Sequence, residues 1–109
     1  MLTGGPDLDH VPRDFDIEFD VNARVLKPYG ELDMVTSPIL LAAAKAFTHE
    51  LPGNVTMDFS AVTFGDSAML TALIDIQRDQ QEQGHTMKIA NATATIRRLF
   101  MLSGFRASA

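Results

Sequence analysis

An apolar strand that gives way within a few residues to an amphipathic helix does most to limit what this chain can fold into. Val55, Met57 and Phe59 fall on one face of a strand from Asn54 to Phe59. A short loop ends in Gly65-Asp66-Ser67, and Met69, Leu70, Leu73, Ile74 and Ile76 then supply the apolar side of a helix. Its later turns, Arg78 to Gln83, read as polar and exposed. A strand feeding a helix that leads to another strand implies parallel pairing with right-handed crossovers.

The flanking segments repeat this alternation. Phe15 to Asp20 alternates apolar and acidic residues, the pattern of a half-buried strand. A turn at Val21-Asn22-Ala23 returns the chain as Arg24 to Tyr29, antiparallel to the first strand. Pro28 has no N–H to give to a ladder, which predicts a sheet edge or a bulge there. Gly30-Glu31-Leu32-Asp33 is then expected to leave the sheet. Ser37-Pro38 reads as an N-cap followed by proline at the first helical position of a helix running from Pro38 to Leu51. After the second helix, Gly84 marks a left-handed stop and Met87 to Ala90 a short fourth strand. A third helix turns Ile96, Leu99 and Phe100 inward and Arg97 and Arg98 outward, and ends at Ser103-Gly104-Phe105. The expected class is therefore α/β: a mixed sheet opening on an antiparallel hairpin, with three helices. Residues 1–14, rich in Gly, Pro and Asp, read as a flexible tail carrying His10, and 15–109 as one domain, because 109 residues suffice for one core and not two.

Composition narrows the chemistry. No cysteine is present, so disulfides and thiolate chemistry are excluded. A net charge of −5 argues against a nucleic-acid partner. No apolar run approaches the roughly 20 residues of a membrane span, and no secretory leader is visible, so a cytoplasmic protein without a membrane partner is expected. His10, His49 and His85 are scattered without metal-ligand spacing and read as surface residues. No phosphate-binding glycine loop or Gly-x-Ser-x-Gly elbow occurs, so neither a cofactor nor an enzyme activity is expected. A hydrolase built on Ser67 would need a histidine brought from a distance. Two readings of Asp66-Ser67 stay open at this level. The pair can simply cap a helix. Alternatively, Ser67 is a hydroxyl where a phosphate group would meet unpaired N–H groups and the positive end of a helix dipole.

Three stretches, in order, carry a resemblance: Gly30-Glu31-Leu32-Asp33, the run from Asp58 to Ser67, and Ile96 to Phe105 with its Leu-Phe-x-x-Ser-Gly close. Across residues 15 to 105 the chain resembles a STAS domain of the anti-sigma factor antagonist type. The resemblance implies a mixed sheet with helices packed on one side. It also implies a partner-switching role. The antagonist binds an anti-sigma factor that is a serine kinase with an ATPase domain, and so releases a sigma factor. The kinase phosphorylates the serine of the Asp-Ser motif, here Ser67, and a serine phosphatase reverses this. The implied partner surface comprises Glu31, Asp33, Asp66 and Ser67, extended to Met69 and Leu70. Ala68-Met69 stand where the family has a second hydroxyl and a glycine, and Met69 is expected to put a bulky side chain on the interaction face. The chain ends at Ala109, before a last strand and helix common in the family, which implies a shortened domain or an edge supplied by a neighbour in a homodimer. The alternative function within the same family is a non-switching STAS scaffold or accessory subunit of a transporter or sensory complex.

Overall fold

In the computed structural model, which describes residues 14–106, the alternating segment forms β1 (Asp16–Asp20), paired antiparallel with β2 (Val25–Leu32) from Asp16 opposite Tyr29 to Asp20 opposite Val25. The tail with His10 lies outside the described residues. In the intervening turn the left-handed residue is Arg24 (φ 58°), and not Asn22. Its guanidinium donates to the carbonyls of Asn54 (2.6 Å) and Leu51 (2.7 Å), contacts that hold this backbone shape in place.

β2 does not leave the sheet at Gly30 as expected. It continues to Leu32 because it has a second parallel partner, β4 (Val62–Gly65), a segment that the sequence reading assigned to a loop. The first half of β2 pairs in parallel with β3 (Val55–Asp58), at Val25 with Thr56 and Leu26 with Met57. β5 (Met87–Ala90) pairs in parallel with β3, giving the order β1-β2-β3-β5 with β4 beside the far end of β2. Pro28 sits in the interval between the two parallel partners. Arg24 O and Gly30 N both bond toward the β3/β4 side, so strand alternation aims the missing N–H of Pro28 at that interval, where no ladder asks for it. The expected irregularity occurs two residues later. Gly30 opposes Val62 and Glu31 opposes Phe64, leaving Thr63 as an extra residue in β4.

Three helices, α1 (Thr36–Glu50), α2 (Ser67–Glu82) and α3 (Ala94–Ser103), cover one face of this sheet. Leu26, Leu32, Val55, Met57, Phe59, Val62 and Met87 from the strands meet Leu40, Ala44, Met69, Leu73, Ile76 and Ile96 from the helices in one core. The opposite face carries Glu18, Lys27, Tyr29 and Glu31, the polar alternation of a sheet covered on one side only. The end of α2 departs from expectation. Gln80 is wholly buried, and its Nε2 donates to the carbonyls of Gly53 (2.8 Å) and Thr86 (3.0 Å), so a polar residue fastens two loops from inside. Ile74, expected inside, is 40% exposed. Among the described residues no helix is long and apolar enough to cross a membrane, and no cluster of His, Asp and Glu could hold a metal ion.

Candidate functional site

Two neighbouring strand ends build the site. Leu32 of β2 is paired with Gly65 of β4, and Leu32 O accepts from Asp66 N at 3.3 Å. Each strand is followed at once by an aspartate that starts a helix, so Asp33 and Asp66 occupy matching positions at one end of the sheet. The bulge at Thr63 sets which way the side chains before these aspartates face. Val62 faces the core, Phe64 turns out to 47% exposure, and Gly65 returns to the helix side against Met69.

Asp33 caps α1 in place of the expected Ser37. Its Oδ1 accepts from Val35 N (2.9 Å) and Thr36 N (3.0 Å), while Thr36 Oγ1 accepts from Asp33 N (2.9 Å), a reciprocal capping box. Ser37 lies one residue further on, buried in the first turn. The backbone N–H groups of Thr36 and then Val35 favour the ionised carboxylate and hold Asp33 below its ordinary value of 3.8. A depressed folded value contributes stability above the unfolded value that is lost as pH falls through the folded one. Asp33→Ala should therefore lower the melting temperature at neutral pH, and the gap from the native chain should narrow as the pH is taken below 3.8. A gap that stays constant on acidification would refute the charged cap.

Asp66 does the same work for α2 with less. Its backbone is extended (φ −131°, ψ −163°), its Oδ1 accepts from Ala68 N (2.9 Å), and its carbonyl accepts from Leu70 N (3.3 Å). Ser67 is the first residue of the helix. Its side chain is exposed, and its carbonyl accepts from the Thr71 hydroxyl at 3.1 Å. No described histidine is placed to activate it. His49 Nε2 lies 3.0 Å from Asp79 Oδ2, twelve residues further along α2, or about 18 Å of helix axis from Ser67.

Of the other residues expected at the partner surface, Glu31 is exposed but lies on the helix-free face of the sheet, beside Phe64. Leu70 is half-buried on the α3 flank of α2, where it lines a groove with Ile74 and Phe105. Met69 is a correction: it is fully buried and fills the space beside Gly65, where an added Cβ would overlap Met69 Sδ. It therefore offers no surface to a partner. The exposed apolar surface at this end comes instead from the start of α1, where Met34 and Val35 are 79% and 52% exposed, which sequence reasoning missed. Met34 also rims a groove of about 310 Å³ between α1 and α2, lined by Pro38, Leu41, Ala68 and Thr71. The signal was legible as two large apolar residues enclosed between Asp33 and Thr36, because a capping box turns the residues it spans toward solvent.

Residues 15–107 match the family described as "Mlab, STAS domain". No curated protein is recognisably similar in sequence. Among solved structures, an anti-sigma factor antagonist from Mycobacterium paratuberculosis is 30% identical, with 83% of this chain and 76% of that one covered and a TM-score of 0.65. The unphosphorylated form of the anti-sigma factor antagonist SpoIIAA is 19% identical over 81% of this chain and 82% of its own, with a TM-score of 0.63. The phosphorylated form of SpoIIAA, a Bacillus cell fate determinant, is 21% identical over 84% of each chain, again with a TM-score of 0.63.

Proposed function

We propose, since this chain belongs to the STAS domain family, that it works as an anti-sigma factor antagonist switched off by phosphorylation of Ser67. The observation that carries the reading is the placement of Ser67: an exposed hydroxyl at the N-terminus of α2, held beside the capped start of α1 and the exposed Met34 and Val35. That surface has the make-up of a docking site, with apolar side chains to be covered and acidic groups, Asp33 and Asp66, beside them. The 30% identity to an anti-sigma factor antagonist supports the same reading. The partner is an anti-sigma factor serine kinase with an ATPase domain, a serine phosphatase reverses the modification, and the exchange takes place in the cytoplasm. Phosphate on Ser67 would add about −1.5 to −2 charges at neutral pH. The helix N-terminus can accommodate it in the free protein, whereas beneath a docked partner it would be pressed against Asp66 in a desolvated contact.

Incubation with the cognate kinase and ATP, followed by mass spectrometry, should place one phosphate on Ser67. A kinase that binds the chain tightly and leaves Ser67 unmodified would overturn the switch. The second reading, a non-switching accessory subunit of a transporter or sensory complex, draws support from Ala68 in place of a second hydroxyl. Co-purification of a transport subunit, in place of an ATPase-domain kinase, would favour it.

A further inference from the structure

Charge is divided between the two edges of the sheet. From Ala94 to Arg106 the chain carries Arg97, Arg98 and Arg106 and no acid, although its net charge is −5. All three arginines are exposed, and so are Met101 and Leu102, at 78% and 76%. Arg97 with Met101 and Arg98 with Leu102 are four residues apart, so they form one solvent-facing patch on α3. Leu99 and Phe100 meanwhile pack against the core. The patch belongs to the helix that follows β5, one edge of the sheet.

The opposite edge, β1, presents the complement. Asp16, Glu18 and Asp20 are exposed there along the helix-free face, while Phe19, 46% exposed, turns to the other face and stacks on Phe47 of α1. Each carboxylate accepts one neutral hydrogen bond, Asp16 from Ile17 N (2.8 Å), Glu18 from the Tyr29 hydroxyl (2.8 Å) and Asp20 from Ala23 N (3.0 Å), so all three keep their charge along this edge. β1 pairs only with β2, leaving its outer edge open among the described residues.

We infer that the arginine-and-apolar face of α3 docks on the acidic β1 edge of a second copy of this chain. Charge complementarity selects this occupant, because an otherwise acidic protein carries both a basic apolar patch and an acidic strand edge to receive it. The two patches are separated by three strand spacings, about 14 Å in the plane of the sheet, so one molecule cannot bring them together. The contact is therefore heterologous, head to tail, and each copy keeps one free patch of each kind. Met101 and Leu102 supply the covered centre, and the arginines set register and association rate. None of the residues at the Ser67 site takes part, and the inference does not rest on the function proposed above.

Sedimentation of the native chain from about 10 μM to about 1 mM should show concentration-dependent association, weakened about tenfold or more between about 0.05 M and 1 M salt. Arg97→Gln with Arg98→Gln should leave the chain monomeric, and so should Asp16→Asn with Asp20→Asn, in which the asparagines keep the local acceptors. An equimolar mixture of the two double variants should form a dimer and stop there, because it holds one intact patch of each kind per pair. A native chain that stays monomeric throughout would overturn the inference. So would either variant associating like the native chain, or a mixture that forms no dimer. Binding of the monomeric chain to phosphatidylserine vesicles, lost with the arginines, would assign α3 to a lipid surface and also overturn it.

Discussion

Ser67→Asp is expected to weaken binding of the anti-sigma factor kinase by about tenfold, while Ser67→Asn leaves it within a factor of about two, since about 1.4 kcal/mol corresponds to a factor of ten. The two replacements have nearly the same size and shape and differ in one charge. That charge would sit directly after Asp66, whose carboxylate is already committed to Ala68 N. In the free protein, solvent and salt screen the pair, and an acid at the first position of a helix is favoured by about 0.3–1 kcal/mol. Ser67→Asp should therefore melt no lower than the native chain, which separates lost affinity from lost fold. Covering the site removes the screening. Two like charges about 5 Å apart then repel by about 3 kcal/mol at an effective dielectric constant near 20, and incomplete burial brings the expected loss down to about tenfold. The phosphorylated chain, with nearly twice the charge, should lose about 100-fold. Equal affinities for Ser67→Asp and Ser67→Asn, measured by titration calorimetry, would remove charge as the basis of the switch.

The largest effect on stability is expected at Gly30. Its φ of +98° lies where L side chains are rarely found, and a Cβ there would stand 2.6 Å from the carbonyl oxygen of Asp14 and 3.6 Å from Phe15 Cα. Both obstacles are backbone, so no rotamer change can relieve the overlap. Gly30→Ala combines the cost of the left-handed conformation with overpacking, about 2–4 kcal/mol together. At about 4–8 °C per kcal/mol for a domain near this size, the melting temperature should fall by roughly 10–25 °C. Gly84 is the control: its φ is +81°, but nothing lies within 4 Å of a Cβ placed there. Gly84→Ala should cost only the conformational part, about 1 kcal/mol. Should both variants melt at the same temperature, the approach of Asp14 to β2 would have no energetic weight.

What could be read in advance followed from periodicity, and what could not followed from pairing. The alternation in β1, the helical spacing of Leu40, Ala44 and Phe47, and the glycine stop at Gly84 are local properties that tertiary structure left in place. β4 was illegible because four residues, Val-Thr-Phe-Gly, show no alternation once Thr63 is unopposed, and the partner that makes them a strand is the second half of β2. The same pairing kept Gly30 to Leu32 in the sheet. Ser37 was preferred as a cap because serine before proline is a strong local signal, yet Asp33 with Thr36 offers two reciprocal bonds where Ser37 offers one. At the site, Asp66 and Ser67 lie at the helix start where the loop motif put them. Met69 was misplaced because Leu70 and Met69 are equally apolar, and only the proximity of Gly65 and Ile96 decides which of them turns inward.

The unopposed Thr63 also bears on how this chain can vary over generations. Removing it would leave Val62, Phe64 and Gly65 opposite Gly30, Glu31 and Leu32, the pairs they already make, so the side chains after it would keep their faces and only the bulge would be lost. Phe64 would stay turned outward, Gly65 would stay against Met69, and Asp66 N would still reach Leu32 O. A lost codon at this one position of β4 would thus be tolerated, whereas a lost codon within β2 or β3 would turn every following side chain of the strand to the other face. Other length changes in descendants should collect in the turn between β1 and β2 or in the stretch after α2, where the chain can lengthen without re-facing a strand.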